Sequence, residues 1–437
     1  MNVTNLILNL KSKIGDATID QQMLSKAIKL LELGTIESVS SFSSLPNAAT
    51  TGRDKLYLVE FDGLYKTNGT YWAPFAQDFS PAFSWGCNTC GPLGDGTTVD
   101  KSSPVSVVGG FTDWCQVDAG HNHSLGVRTN GTAWAWGQGT NGRLGDNTNV
   151  SKSSPVLVSG GFSDWCQVSV GYMHSIGVRQ NGTAWAWGAG IGGQLGDNTI
   201  VDKSSPVSVV GGFTDWCQVS AGECYNLGVR QGGGAWAWGS AINGKLGDGT
   251  TVGKSSPVLV AGGFSDWCQV DAGNYHSLGV RQNGTAWAWG TGCRGQVGDG
   301  TTVNKSSPVL VVGGFTDWCQ VSAGFVHSIG VRQNGTLWAW GQGVGGLLGD
   351  NTVVAKSSPV SVVGGFTDWC QVSAGGVHSL GIRTNGTAWA WGCGTNGRLG
   401  DNTTVNKSSP VLVSGGFSDW CQVSTFVTSA AIRRTNV

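Results

Sequence analysis

The sequence predicts an all-β fold, a closed seven-bladed β-propeller of 51-residue repeats, preceded by a small N-terminal module of α-helix and β-strand. Three observations predict it. Tryptophan follows aspartate at Trp114, Trp165, Trp216, Trp267, Trp318, Trp369 and Trp420, always 51 residues apart. A series of Trp-Gly pairs, at Trp85, Trp136, Trp187, Trp238, Trp289, Trp340 and Trp391, keeps the same period and also has seven members. The two ends of the repeat region carry complementary fragments of one unit.

Before the repeats, apolar residues at Leu6, Ile7, Leu10 and Ile14, then at Met23, Leu24, Ala27, Ile28 and Leu31, fit two amphipathic helices broken near Gly15 to Thr18. Residues 1–35 are read as a helical anchor or oligomerisation segment. Residues 36–80 are read as a small β module and linker, with strands near Leu56 to Val59, Gly63 to Tyr65 and Thr70 to Trp72. The propeller occupies 81–437.

Within one unit the apolar runs are four to six residues long and are bounded by Gly, Asn and Pro, the pattern of short strands. Asn-Gly between His-Ser-Ile-Gly-Val-Arg and Ala-Trp-Ala-Trp signals a hairpin. Four strands per unit make one blade. Alternation places Trp134 and Trp136 on one face of their strand and Ala133 and Ala135 on the other. In a ring, the tryptophan face of one blade then lies against the alanine face of the next, burying roughly 200 Å² per indole. The last repeat stops before its Trp-x-Trp-Gly strand, and the first opens on Phe83-Ser84-Trp85-Gly86. Joining the fragments completes a seventh blade and removes two exposed edges.

Composition narrows the function. Charged residues are 12% of the 437, and the formal net charge is −1, which argues against electrostatic capture of nucleic acid or anionic membrane. No apolar run reaches membrane-spanning length, and residues 1–10 carry no charged leader pattern, so release by lysis is expected rather than secretion. Seven of the 12 cysteines (Cys115, Cys166, Cys217, Cys268, Cys319, Cys370 and Cys421) share one repeat slot and are expected to be small buried apolar residues.

The unit A-G-x-x-H-S-L-G-V, N-G-T, W-x-W-G, L-G-D-G-T resembles the repeat of the regulator of chromosome condensation, over about residues 81 to 437. The resemblance implies a seven-bladed propeller closed by strands from both ends. Members of that repeat family include a guanine-nucleotide exchange factor and a bacterial β-lactamase inhibitor protein, which share the use of a propeller face to bind protein. The segment S-S-L-P-N-A-A-T-T-G-R-D-K-L-Y-L-V-E-F-D-G-L-Y-K-T-N-G-T-Y-W is similar to stretches of bacteriophage tail-fibre and appendage proteins, where it precedes a variable tip domain.

The repeats can also be compared with one another. Their differences cluster in two loops. One carries His121-Asn122, Tyr172-Met173, Glu223-Cys224, Asn274-Tyr275, Phe325-Val326 and Gly376-Val377. The other ends at Pro92, Arg143, Gln194, Lys245, Gln296, Leu347 or Arg398 and includes Arg294. In an up-and-down blade both loops emerge at one end, whereas the near-constant Asn-Gly-Thr turn emerges at the other. The expected binding face is therefore His121, Asn122, Tyr172, Met173, Glu223, Asn274, Tyr275, Phe325, Val326, Arg143, Gln194, Lys245, Arg294 and Arg398. Drift in exposed loops would also produce variation, but it would scatter the opposite turn too. That turn departs strongly only at Gly232-Gly233-Gly234.

Residues that could carry chemistry read as structural. His123, His174, His276, His327 and His378 recur before Ser and are expected to be hydrogen-bonding supports, with Asn226 and Ser429 in that slot of the other repeats. Trp136, Trp187, Trp238, Trp289, Trp340 and Trp391 are expected in the core. Asp95 and its equivalents in Gly-Asp-Gly/Asn-Thr lack the further acidic residues of a calcium loop and read as turn caps. Cys87 and Cys90 form a lone Cys-x-x-Cys without a second pair. No catalytic set, metal or cofactor is expected. The functional expectation is a virion-associated tail-fibre or appendage protein, homo-oligomeric and joined to other virion proteins through its N-terminus. Its propeller would bind a host-surface protein or glycan, without nucleic-acid binding or membrane insertion. The alternatives are a soluble protein-binding propeller or inhibitor, and a capsid decoration protein that binds no receptor.

Overall fold

The structure, a computed structural model, describes residues 80–434 and four strands N-terminal to them, Ile36–Val39, Leu56–Val59, Gly63–Thr67 and Trp72–Pro74. The chain divides into two compact units, of which the larger is Phe79–Thr435. The four early strands form one sheet in chain order, the first pair parallel and the others antiparallel. The two expected N-terminal helices lie outside the described residues.

The larger unit is seven four-stranded antiparallel sheets. Blade 1 runs Trp114–Ala119, His123–Arg128, Ala133–Gly137 and Lys152–Leu157. Blades 2 to 6 repeat this order, with inner strands that start at Trp165, Trp216, Trp267, Trp318 and Trp369. Blade 7 joins the ends as expected. Its inner strands are Trp420–Thr425 and Thr428–Arg433, and its outer ones are Ala82–Gly86 and Lys101–Ser106. Thr428 pairs with Gly86 and Ile432 with Ala82. Proline is accommodated in each Lys-Ser-Ser-Pro-Val strand because that strand forms the outer edge of its blade.

The seams between blades are the core. Trp165 and Trp187 of blade 2 pack on Leu125, Val127, Ala133 and Ala135 of blade 1. The same large-on-small contact closes the ring, with Trp114 and Trp136 of blade 1 against Ala82, Ala430 and Ile432 of blade 7. Within a blade the rings meet edge to face, 5.7 Å between Trp165 and Trp187. Gly177, on the strand beside Trp165, has no room for a side chain: a Cβ there would lie 2.8 Å from the indole Cζ3. At the Asn-Gly-Thr end of the blade Arg179 donates to Asp164 at 2.7 Å and covers the Phe162 ring at 4.0 Å, a pairing that recurs in every blade.

Two rings of polar side chains lock the inner strands. Gln116 donates to the Val168 carbonyl and accepts from the Val168 N–H. The pattern passes from blade to blade until Gln422 closes it on Val117. Nearer the strand ends a serine hydroxyl accepts the next blade's N–H, as Ser169 does from Ala221 at 3.0 Å. In blades 1 and 4 an aspartate does this, Asp118 for Val170 and Asp271 for Ala323, each at 2.7 Å.

Two expectations are corrected. The seven slot cysteines are exposed rather than buried. A bulge after each tryptophan is the reason: the register shifts between Trp114 and Gln116, so the indole turns into the seam while the thiol turns out. Each thiol donates to a carbonyl of its own blade, such as Val127, at 3.2–3.4 Å. The histidine slot is also shifted by one residue from its sequence assignment. Opposite Gly239 and Gly86 stand Tyr225 and Thr428, not Asn226 and Ser429.

The turn readings hold. Asn130 Oδ1 accepts from Thr132 N and Oγ1, and Thr132 Oγ1 accepts from Trp134 Nε1. Asp95 Oδ1 accepts from Thr97 N at 2.9 Å. Cys87 and Cys90 are both unbridged.

Candidate recognition face

The loop between the inner and second strands (120–122 in blade 1) and the loop between the third and outer strands (138–151) leave the same end of every blade. The Asn-Gly-Thr turns leave the other. The variable face expected from the repeat comparison is therefore a real face of the ring.

The first loops meet around the inner strand ends. His121 stacks on Tyr172, ring centroids 4.0 Å apart. Phe426 stands edge-on to His121 at 6.2 Å and to Phe325 at 4.7 Å. Gly376, between Phe325 and Phe426 in ring order, leaves the space that Phe325 fills: a Cβ there would be 3.1 Å from Phe325 Cζ. An aromatic arc thus runs from blade 5 through blades 7 and 1 to blade 2. Glu223 and Tyr275 stand on the remaining side, with Tyr275 38% exposed. Asn122, Met173 and Val326 are half-buried beside the arc, and Arg294 is exposed on its own loop.

Four expected face residues are not on the surface. Arg143, Gln194, Lys245 and Asn274 are 3%, 0%, 2% and 1% exposed. The first three occupy a wedge between blades. The Arg143 carbonyl accepts from Ser175 of blade 2 at 2.9 Å, and the Gln194 carbonyl accepts from Trp238 Nε1 of blade 3 at 3.1 Å. With the backbone spent on the seam, the side chain passes beneath the neighbouring first loop. There the cationic members donate to that loop's backbone: Arg143 to the Tyr172 carbonyl at 3.3 Å, Lys245 to that of Asn274 at 3.4 Å, and half-buried Arg398 to that of Val427 at 3.1 Å. Gln194 and Gln296 turn their Oε1 to Gly192 N and Arg294 N and leave buried Nε2 without a partner. So blades 2, 4 and 7 have loops held from below by a cation.

Lys245 also lies 3.4 Å from Glu223 Oε2 and 4.9 Å above the Tyr225 ring. Burial lowers its pKa, and Glu223 opposes that shift. His121 is pushed down to about 4 by burial and by Arg143 and Arg398. The five slot histidines are buried supports, as expected: His123 Nε2 lies 2.9 Å from Ser175 Oγ of the next blade, and His276 Nε2 lies 2.7 Å from Ser328 Oγ. Tyr225 bridges blades 3 and 4 instead, its hydroxyl donating to the His276 carbonyl. Six of the expected core tryptophans, from Trp136 to Trp391, are fully buried.

Sequence reasoning missed three residues here. Phe426 escaped because the last repeat is one residue shorter in that loop, so it falls in the glycine slot. Asp118 and Asp271 escaped because they lie in a strand. Their signal is a plain one, Gln-Val-Asp where five repeats read Gln-Val-Ser. Burial pushes the Asp118 carboxyl up to about 6 against hydrogen bonds from Ser424 and the Val170 N–H, with Asp271 adding repulsion. Burial raises Asp271 as well. Among the described residues no group of three or more metal-binding side chains converges, and no helix is long and apolar enough to cross a membrane.

The architecture is a closed seven-bladed ring with one uniform and one variable face. The chain belongs to the RCC1-like domain family, whose model matches residues 81–431. It is 28% identical over 341 residues to the ultraviolet-B receptor UVR8 of Arabidopsis thaliana, covering 76% of this chain and 77% of that protein. It is also 28% identical over 276 residues to the human E3 ubiquitin-protein ligase HERC2, covering 61% of this chain but only 6% of HERC2. Human WBSCR16 superposes with a TM-score of 0.74 at 19% identity, over 82% of this chain and 100% of that one. Saccharomyces cerevisiae Prp20p gives 0.72 at 20% identity, over 82% and 92%. The two superpositions establish the fold alone.

Proposed function

We propose that this chain is a protein-binding propeller that engages its partner with the variable face, centred on the aromatic arc. The observation that carries the reading is that arc itself: Phe325, Phe426, His121 and Tyr172 form one contiguous cluster from four different blades. Aromatic side chains offer large contact area at small entropic loss and are enriched where proteins meet. The opposite face repeats one Asn-Gly-Thr turn in five blades and offers no comparable cluster of unlike aromatic side chains. In the same fold, the structure of Prp20p is described together with binding properties to Gsp1p and histones. No reaction is assigned to the face, whose buried histidines and cations are engaged in holding loops and seams.

The virion reading rests on the resemblance of residues 43–72 together with the one-sided variation of the repeats. None of the relatives named above is a viral protein. The protein-binding alternative is therefore the one advanced.

The test is affinity capture from source cells with wild type and two variants, Tyr172→Ala/Tyr275→Ala/Phe325→Ala on the variable face and Asn181→Gly/Asn283→Gly on the opposite turns. The reading expects a defined partner to be retained by wild type and by the turn variant, and lost by the face variant with its circular dichroism unchanged. Equal retention by all three would remove it.

A further inference from the structure

Directly below the aromatic arc, on the same inner strands, lies the ring of side chains that bridges neighbouring blades. Serine does this work at five positions (Ser169, Ser220, Ser322, Ser373 and Ser424) and aspartate at two. The bridge needs only one oxygen to accept the next blade's N–H, which serine supplies at 2.9–3.0 Å. Ring closure therefore does not explain Asp118 and Asp271. Each sits between serines: Ser424 donates to Asp118 Oδ1, and Ser220 to Asp271 Oδ1 at 2.9 Å.

Their places in the ring are informative. Asp118 stands at the seam of blades 1 and 2, and Asp271 at the seam of blades 4 and 5. Three seams of seven separate them, so the two carboxylates occupy nearly opposite walls of the central opening at one level. Both are half-buried rather than sealed in. Three residues further along blade 1 is His121, and further along blade 4 are Asn274 and Tyr275, so the carboxylates lie just inside the mouth that the aromatic arc borders. The cations nearby are turned elsewhere. Arg143 donates to Thr140, Gln138 and the Tyr172 carbonyl, and Arg398 donates to Thr395 and the Val427 carbonyl.

A border of aromatic rings above two facing carboxylates is the chemistry that receives an organic cation. The ring faces attract it through their quadrupoles and the carboxylates through charge-assisted hydrogen bonds. We propose that the mouth of the ring takes a lysine or arginine side chain presented by the partner protein, its alkyl stem against Phe325, His121 and Tyr172, which buried Phe426 backs from beneath, and its charged end between Asp118 and Asp271. The proposal rests on the protein-binding reading above and names the side chain that would anchor it. Serine in these two slots would avoid the desolvation that raises both carboxyls, and the cation supplies the reason for keeping aspartate.

The experiment is a calorimetric titration of the full chain with N-acetyl-lysine methylamide, with N-acetyl-norleucine methylamide as the uncharged control of similar shape. Wild type is expected to bind the lysine probe at least tenfold more tightly than the norleucine probe. Asp118→Ser/Asp271→Ser carries the residue that five blades already use, keeps the ring closed, and is expected to lose that preference. Equal binding of both probes to wild type, or an unchanged preference in the double variant, overturns the proposal. Loss of the protein partner on substitution of Tyr172, Tyr275 and Phe325, without any lysine preference, would leave the face in place and remove only the cation. Failure of both experiments would remove both readings.

Discussion

Five buried imidazoles sit in the seams, and each is held neutral. Burial pushes His174 and His327 down to about 4 and His276 to about 3, while His123 and His378 lie well below their ordinary value. The unfolded chain takes up these protons near pH 6.5. The stability they contribute is present above that pH and is lost as pH falls toward 4, by up to about 1.4 kcal/mol per pH unit per histidine. A steep fall in melting temperature between pH 6.5 and 4.5 is expected, and replacing His276 with glutamine should make it shallower. Asp118 has the opposite sign. Its folded value is raised, so its contribution is present below pH 4 and is lost as pH rises through about 6. Asp118→Ser should therefore stabilise the fold at pH 7, by about 1 kcal/mol after screening in the opening, with the gain vanishing near pH 4. A melting series of both proteins across pH 4–7 checks this.

At the scale of the strand, glycine and tryptophan are one unit. Gly177 leaves the gap that Trp165 fills, so Gly177→Ala should cost about 2–3 kcal/mol, within the range for overpacking a tight core. Trp187→Ala, which empties a seam, should cost about 3–5 kcal/mol. Urea unfolding measures both. Loops follow a different rule. Those of blades 2, 4 and 7 are held from below by Arg143, Lys245 and Arg398, whereas Gln296 leaves the loop of Phe325 without such a bond. Gln296→Arg is expected to slow amide hydrogen exchange in residues 324–327 several-fold.

This is also the scale at which sequence and structure part. Blade number, strand order, the tryptophan-on-alanine seams and the closing blade were legible, because period and alternation encode them directly. The direction of a loop side chain was not. Arg143 and Lys245 look like surface cations in a variable loop, yet the backbone carbonyl beside each is needed by the next blade. That need turns the side chain under the loop. The cysteines failed for a related reason: a bulge changes which face a residue takes, and the period-two pattern does not announce it. Phe426 was hidden by a single missing residue.

For the whole molecule, stability lies in closure. Every blade contributes one seam to each neighbour, so an open ring loses a full seam and exposes an indole face. A circular permutant that joins 434 to 80 and opens between blades 3 and 4, at Ala261, would keep every seam but lose the composite blade. It is expected to fold with near-native circular dichroism and to unfold faster than wild type, because no blade then staples the ends together. Unfolding rates in guanidinium decide this.

The composite blade bears on how a chain of near-copies finds its own end. In six blades the third strand carries Trp opposite a glycine of the second strand, as Trp134 faces Gly126. In the seventh the pair is Phe83 and Ala431. A smaller ring meets a larger partner, so the two terminal strands fit each other and fit the internal ones poorly. A Cβ in this slot meets the tryptophan of the inner strand, as one at Gly126 would lie 2.6 Å from Trp114 Cζ3. Ala431 therefore crowds Trp420, which packs edge-on to the smaller Phe83 ring at 5.6 Å. Docking on an internal Ala-Trp-Ala-Trp strand would set an indole where Phe83 leaves room. The exchange of one ring for one methyl thus acts as a proofreading mark, distinguishing one correct closure from six decoys of almost identical sequence.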